Sequence, residues 1–167
     1  MTSKDLAIRR YQDKDIPRVL DLIMVALPQL PNYAMITPDR DRINYVLRFN
    51  IDNAEAFAGW VVCDTHETVQ GFAGAWCVRS LMSRDYVADD IFLWVEPEYR
   101  TYENARKLIL AYKKWALGKG AKLIRASHTG GSFVKGSREA ELYHTLLVRQ
   151  GFVEVGSVYH LSTYGEK

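Results

Sequence analysis

The stretch ADDIFLWVEPEYRTYENARKLILAYKKWALGKGA, from Ala88 to Ala121, decides the fold. It opens with the apolar run Ile91–Val95, which lacks alternation and therefore predicts a strand buried on both faces. Pro97 ends this strand, because proline cannot donate to a β-ladder and holds the residue before it extended. After a polar turn, apolar residues recur at helical spacing until Gly118 and Gly120. A strand, a tight turn and a helix in this order aim the free amides of the helix's first turn at one place, which suits an anion.

The turn carries a recognisable motif. Val95–Ala105 reads V-x-P-x-Y-R-x-x-x-x-A. This run resembles the acetyl-coenzyme A binding segment of the GNAT superfamily of N-acetyltransferases, where a strand ends in V-x-P-x-Y-R and the next loop reads R/Q-x-x-G-x-G/A. Arg100 matches the first position of that loop and Ala105 the last, whereas Glu103 stands in place of the middle glycine. The resemblance implies an acyltransferase that uses acetyl-coenzyme A as co-substrate.

The composition is that of an ordinary globular domain. The chain has 167 residues, of which 48% are hydrophobic and 25% charged, and these fractions argue against disorder. The length is sufficient for one domain with its own core. The formal net charge of +2 is too small to indicate a nucleic-acid or membrane surface.

Two cysteines, Cys63 and Cys77, each lie in an apolar run with no Cys-x-x-Cys or Cys/His spacing nearby. We interpret them as buried structural thiols, with a disulfide or a nucleophile as the alternatives. The first residues, MTSKD, lack the apolar stretch of a signal peptide, and no run reaches membrane-spanning length. The sequence therefore predicts a cytoplasmic protein without a membrane partner.

Apolar periodicity divides the remaining chain into strands and helices. The predicted strands are Leu6–Tyr11, Ala56–Thr65, Val69–Arg79, the run ending at Val95, Lys122–Ser127 and Phe152–Thr163; the predicted helices start at Asp13 or Asp15, at Asp39 or Asp41, at Glu103 and at Arg138. The short link between the second and third strands predicts an antiparallel hairpin. A helix between the fourth and fifth strands predicts that these two strands are parallel. On the second helix, the side chains expected to face the core are Ile43, Val46, Leu47 and Phe49.

Two later motifs extend the resemblance over nearly the whole chain. Leu147–Phe152, LVRQGF, and Tyr159–Leu161 resemble the closing helix, turn and final strand of GNAT proteins. The resemblance implies a GNAT-like acetyltransferase fold of the α+β (α/β) class, with a mixed central sheet of about six to seven strands flanked by about four helices. Residues 1–167 are expected to form a single acetyltransferase-like domain. The second half also resembles, more faintly, acetyltransferase-like proteins encoded by bacteriophages.

The start of the central helix is the candidate cradle for the pyrophosphate of acetyl-coenzyme A. The groups expected to face it are the amides of Thr101, Tyr102, Asn104 and Ala105 and the cations Arg100 and Arg106. The Glu103 carboxylate would repel a diphosphate at roughly 5 Å by on the order of 1 kcal/mol or more, unless it points outward and contributes only its backbone. The resemblance places the donor to the thioester oxyanion on the backbone near Leu93, Trp94 and Val95, where the fourth strand splays from the fifth.

Proton transfer has several candidate residues. Asp89 stands where several family members carry a glutamate that accepts the amine proton, and Asp90 must face the opposite side of the strand. His128, at the end of the fifth strand, is a second candidate base, because histidine titrates near neutrality. Leu147 occupies the usual place of the acid, four residues before the glycine of the turn, and cannot donate a proton. Tyr143, one helical turn earlier on the same face, is the substitute. A charged strand end and a surface histidine are the ordinary alternatives.

Tyr33, Trp76 and Tyr159 are expected to form an aromatic wall for the amine acceptor, which is a small molecule or a protein; packing in the core is the alternative. The four histidines are scattered without ligand spacing, so no metal site is predicted. An exposed edge on the last strand would allow a homodimer.

Two functions stay open from the sequence. The first is an active N-acetyltransferase. The second is a catalytically degenerate binding or structural protein on the same fold, which Glu103 and Leu147 would permit, since a fold does not dictate function.

Overall fold

The computed structural model of the chain describes residues 6–30, 33, 36–127 and 138–155. The strands in these ranges are β1 (Ala7–Arg10), β2 (Phe57–Cys63), β3 (Val69–Arg79), β4 (Tyr86–Val95) and β5 (Ala121–Arg125). The helices are α1 (Ile16–Ala26), α2 (Arg40–Asp52), α3 (Tyr102–Gly118) and α4 (Arg138–Arg149). Short 3₁₀ turns lie before α1, after α1 and before α3, at Asp13–Asp15, Leu27–Gln29 and Pro97–Tyr99.

The strands form one sheet in the order β1-β2-β3-β4-β5. Neighbours are antiparallel as far as β4, and β5 is parallel to β4, so the predicted hairpin and the predicted crossover are both confirmed. The expected total of about six to seven strands is too high for the described residues, which form five. Residues 152–155 of the predicted last strand are coil, and residues 156–163 lie outside the described residues.

Helices cover both faces of the sheet. The face under α1 and α2 has a core that includes Val19, Leu22, Phe72, Phe92 and Trp94. The opposite face packs against α3 through Trp60, Ala73, Leu108 and Tyr112, and α4 adds a smaller cluster with Ile109, Tyr143, Leu146 and Leu147. The free thiols Cys63 and Cys77 are buried in the first and second of these cores, as predicted. Among the described residues, no helix combines the length and the apolar character needed to cross a bilayer.

A β-bulge interrupts the apolar run of β4. Gly74 of β3 pairs with Phe92, while the next residue, Ala75, pairs with Asp90, so Ile91 is the extra residue. Ile91 is 38% exposed, and the prediction that the whole run is buried on both faces is therefore wrong at this position. The bulge bends β4 beside the point where β5 leaves it.

The solvent side of α2 is more apolar than predicted. Leu47 is buried as expected, but Val46 is 36% and Phe49 40% exposed, so both are wrongly placed in the predicted core face. Phe49 instead stacks with Tyr45 and makes an edge contact with Phe57 of β2. An aromatic surface therefore remains open beside the sheet.

Gly59→Ala is expected to destabilise the protein by about 1–3 kcal/mol, because a side chain there overpacks the core. A Cβ on Gly59 would overlap Cδ1 and Cε1 of Tyr11. Tyr11 cannot easily move away, since its hydroxyl donates to the carbonyl of Leu47 at 2.6 Å. Urea unfolding measures the loss. Gly74→Ala is the matched control, because its Cβ would lie in ordinary contact, 3.5 Å from Cζ of Phe72. Equal losses in the two variants would contradict the overlap at Tyr11.

Candidate functional site

The first turn of α3 leaves two backbone donors open. Thr101 caps the helix, with its hydroxyl accepting from the amide of Asn104 at 3.2 Å, and its carbonyl accepts from the amide of Ala105 at 3.1 Å. The amide of Thr101 itself donates to the carbonyl of Tyr99. Of the four amides predicted to form the cradle, three are therefore used within the turn. Among the described residues, the amides of Tyr102 and Glu103 have no acceptor, and they lie at the positive end of the α3 dipole.

The Glu103 side chain does not cover these donors. Its Oε1 accepts from Nη1 of Arg106 at 2.9 Å, and both side chains are about half exposed. The carboxylate thus points along α3 towards Arg106, which compensates its charge. The sequence left open whether the Glu103 carboxylate repels the expected diphosphate or points outward. The geometry matches the second case, in which Glu103 contributes only its backbone.

Arg100 fixes the turn between β4 and α3. Its Nε donates to the carbonyl of Val95 at 2.8 Å, and its guanidinium lies 4.3 Å from the ring centroid of Trp94. The amide of Glu96 donates to the carbonyl of Gln70 on the β3 side. Because peptide groups of successive residues point to opposite sides of a strand, those of Val95 and Leu93 point away from β3.

The described pairing of β4 with β5 stops before the end of β4. The register ends at Asp89 and Arg125, whereas β4 continues to Val95. Among the described residues, β5 therefore pairs with the first part of β4 and does not reach Leu93 or Val95. The end of this pairing, the β4 bulge and the open amides of α3 follow one another along the chain.

Asn104 supports the turn from inside and was not predicted to do so with its side chain. It is fully buried: its Oδ1 accepts from the amide of Leu6 at 3.3 Å, and its Nδ2 donates to the carbonyl of Tyr99 at 2.9 Å. The start of α3 is thereby tied to β1 and to the 3₁₀ turn. A polar residue in the first turn of an otherwise apolar helix face was the only signal in the sequence.

Asp89 and Asp90 face opposite sides of the sheet, as predicted. Asp89 accepts from Nε and Nη2 of Arg125. Asp90 accepts from the amide of Ser127 at 2.7 Å and from its hydroxyl at 3.1 Å. The two carboxylates thus hold the end of β5 from both faces, at the last point where β4 and β5 still pair.

Burial raises the pKa of Asp90 to about 6, although the hydrogen bonds from Ser127 oppose the shift. Burial also raises the pKa of Tyr143, and the nearby Asp90 charge adds to this effect. Tyr143 is only 5% exposed, in the cluster under α4. Both groups lie on the α3 and α4 side of the sheet, because Asp90 is the register partner of Ala75, which belongs to the core under α3, and Tyr143 belongs to the cluster under α4.

The other site candidates are dispersed. Trp76 lies on β3 and is 40% exposed, whereas Tyr33 packs against the core that contains Trp94. His128 and Tyr159 lie outside the described residues, so their roles stay predictions. Among the described residues, no group of His, Cys, Asp and Glu side chains is arranged to hold a metal ion.

Asp90→Asn is expected to alter how stability depends on pH. Because the carboxyl pKa is raised from 3.8 to about 6 on folding, the folded chain binds more protons than the unfolded chain between these values. This contribution to stability is present below the lower value and is lost as pH rises through the higher one. Asparagine keeps an acceptor for the Ser127 amide and does not titrate. The unfolding free energy of the wild type relative to the variant should therefore fall from about pH 4 to about pH 7, and urea titrations at several pH values would show it. A difference that does not change with pH would contradict the prediction.

The arrangement of these elements is the GNAT acetyltransferase fold, and the predicted fold is confirmed at that level. One similar solved structure is AAC(6')-Iy in complex with the bisubstrate analogue CoA-S-monomethyl-acetylneamine, with a TM-score of 0.70 and 18% identity over 95% of this chain and 98% of that one. Another is the aminoglycoside antibiotic 6'-N-acetyltransferase AAC(6')-Ih from Acinetobacter baumannii, with a TM-score of 0.68 and 15% identity over 95% and 98% of the two chains.

A GNAT family acetyltransferase from Staphylococcus aureus is also similar, with a TM-score of 0.61 and 11% identity over 94% of this chain and 98% of that one. No family model and no curated protein sequence matches the chain. Identities this low establish a shared fold, and they leave the activity to be argued from the chemistry of the site.

Proposed function

We propose that the chain is an acyl-coenzyme A-dependent N-acetyltransferase that moves an acetyl group from acetyl-coenzyme A to a primary amine by direct attack. The observation that carries this proposal is the pair of amides at Tyr102 and Glu103, which have no acceptor among the described residues and stand at the start of a long helix. Backbone donors at a helix N-terminus suit a phosphate group. The described pairing of β4 with β5 stops at Asp89, and in this proposal the extended arm of the coenzyme runs along β4 beyond that point.

The groups around the end of β4 suggest how the reaction proceeds. The amine nitrogen attacks the thioester carbonyl, and the resulting oxyanion would be held by a backbone amide near Leu93 or Val95. Collapse of the tetrahedral intermediate breaks the carbon–sulfur bond and releases the thiolate. Tyr143, whose pKa is raised by burial, stays protonated and suits hydrogen bonding to the thiolate better than full proton transfer.

Asp89 is the proposed proton acceptor. Its carboxylate lies on the same face as Trp76, because the two are register partners, and it is partly open to solvent, to which the proton can pass. Asp90 lies on the other face, and we assign it a positioning role through Ser127. The degenerate alternative would require that the open amides of α3 bind no coenzyme.

A thermal-shift titration with acetyl-coenzyme A tests the proposal. A ligand that binds only the folded state raises the melting temperature, by the equivalent of about 2.7 kcal/mol at a hundredfold excess over Kd. Coenzyme A and ADP should also produce a shift, because they carry the same diphosphate. No shift with any of them at millimolar concentration would favour the degenerate alternative.

Glu103→Gly is expected to tighten binding of acetyl-coenzyme A by a few-fold. Removing the carboxylate eliminates a repulsion on the order of 1 kcal/mol at protein surfaces and frees Arg106 to approach the diphosphate. The gain is limited because Arg106 already compensates the charge. Titration calorimetry measures it, and Glu103→Gln serves as the control, since it removes the charge without loosening the helix. Weaker binding in both variants would contradict the expected repulsion.

A further inference from the structure

Side chains from one helix and three neighbouring strands line up on the α2 side of the sheet. Tyr45 and Phe49 of α2 stack with ring centroids 6.1 Å apart, and Phe49 meets Phe57 of β2 at 5.6 Å. Phe57 pairs in register with Trp76, Trp76 with Asp89, and Asp89 with Arg125. Register partners point to the same face, so the contact between Phe49 and Phe57 places all of them on the α2 side. We refer to Tyr45, Phe49, Phe57, Trp76 and Asp89 as the aromatic row.

The aromatic row is open to solvent where a core would be closed. Tyr45 is 56% exposed, and Phe49 and Trp76 are each 40% exposed. The exposed bulge residue Ile91 lies on the same side, because a Cβ on Gly74 would be in ordinary contact with it, 3.9 Å from its Cβ. Exposed aromatic surface of this kind marks a place where a ligand or partner binds.

The row ends at the proposed reaction centre. Asp89 is its last member and is also the last residue of β4 with a described partner in β5, two residues before the bulge residue Ile91. A molecule lying along the row would therefore present one end to Asp89, where the described pairing of the two strands stops. The other end would lie against Phe57 and Phe49.

The charges along the row disfavour a polycation. Arg42 lies over the ring of Tyr45 at 5.2 Å, and Arg125 is bound to the carboxylate of Asp89. These three charged side chains sum to one positive charge and offer a single carboxylate. A molecule with several ammonium groups would find no matching set of carboxylates among these side chains, whereas aromatic faces suit an apolar or aromatic body.

We propose that the aromatic row binds the acceptor, and that the acceptor is a monoamine on an aromatic body, with its amine at Asp89 and its ring against Trp76. This inference rests on the proposed acetyltransferase activity. The substrate class differs from the aminoglycoside named for the similar protein from Acinetobacter baumannii. That difference provides the contrast for the test.

Thiol release from acetyl-coenzyme A, measured with 2-phenylethylamine and with neamine, tests the inference on the full chain. We expect kcat/KM for 2-phenylethylamine to exceed that for neamine at least about tenfold, given the area of one ring removed from water. Trp76→Ala should raise KM for 2-phenylethylamine about tenfold and leave KM for acetyl-coenzyme A unchanged. Phe49→Ala should act in the same direction. Leu117, an apolar residue at the end of α3 that is 57% exposed, provides the control, and Leu117→Ala should change neither KM.

Direct binding separates this inference from the proposed function. If calorimetry shows that 2-phenylethylamine binds and that Trp76→Ala weakens this binding, the aromatic row is supported even when no thiol is released, and the catalytic proposal alone fails. The inference is overturned, and the activity stands, if thiol is released with neamine as readily as with 2-phenylethylamine. It is also overturned if Trp76→Ala keeps its melting temperature and changes neither thiol release nor binding of 2-phenylethylamine.

Discussion

Tyr102→Pro is expected to weaken binding of acetyl-coenzyme A by roughly 10- to 100-fold while leaving the fold intact. Tyr102 is the first residue of α3, where proline is well tolerated because its fixed φ is already helical. Thr101, which would precede the proline, has φ −115° and ψ 156°, a conformation that proline allows in its neighbour. Apart from the tyrosine ring, the substitution thus deletes one open amide. A hydrogen bond to a charged group contributes about 1.5–3 kcal/mol, which gives the expected loss.

Tyr102→Ala is the matched control, because it removes the same ring and keeps the amide. Both variants lose the contact between Tyr102 and the guanidinium of Arg149, so this contact cannot account for a difference between them. Titration calorimetry with acetyl-coenzyme A, together with urea unfolding of each variant, provides the comparison. Equal affinities for the proline and alanine variants would show that the amide of Tyr102 does not bind the coenzyme.

The sequence predicted where α3 begins and could not predict which groups in its first turn remain open. The motif from Val95 to Ala105 located the start of α3 to within one residue, because proline, a polar turn and a helical repeat are local signals. The use of the Asn104 amide depends on the orientation of the Thr101 hydroxyl, and the burial of the Asn104 side chain depends on Leu6, 98 residues away. Such tertiary contacts leave no pattern in the sequence around them.

The sequence did not predict the bulge or the aromatic row, for a related reason. The run Ile91–Val95 reads as uniformly apolar, and only pairing with Gly74 and Ala75 decides that Ile91 is extra and turns outward. Phe49 has the spacing of a core residue on α2, yet it contacts Phe57 at the start of β2 and stays 40% exposed. Apolar periodicity identifies a helix face, but it does not show whether another element covers all of that face.

Asp89→Asn is expected to lower kcat/KM about 100-fold, the lower range for loss of a general base. The variant also loses its ion pair with Arg125, so a structural effect must be separated from a catalytic one. Arg125→Gln makes that separation, because it breaks the same ion pair and leaves the carboxylate in place. Asp90→Asn provides a second comparison, since it removes the neighbouring carboxylate while keeping an acceptor for the Ser127 amide.

The three variants give distinct outcomes in steady-state kinetics with 2-phenylethylamine. If Asp89 accepts the proton, Asp89→Asn loses most activity, while Arg125→Gln and Asp90→Asn stay within about tenfold of the wild type. If the carboxylate only anchors β5, Asp89→Asn and Arg125→Gln lose activity equally, because both release the end of that strand. If Asp90→Asn alone is inactive, the proton acceptor lies on the α3 and α4 face. The roles of the two carboxylates would then have to be exchanged.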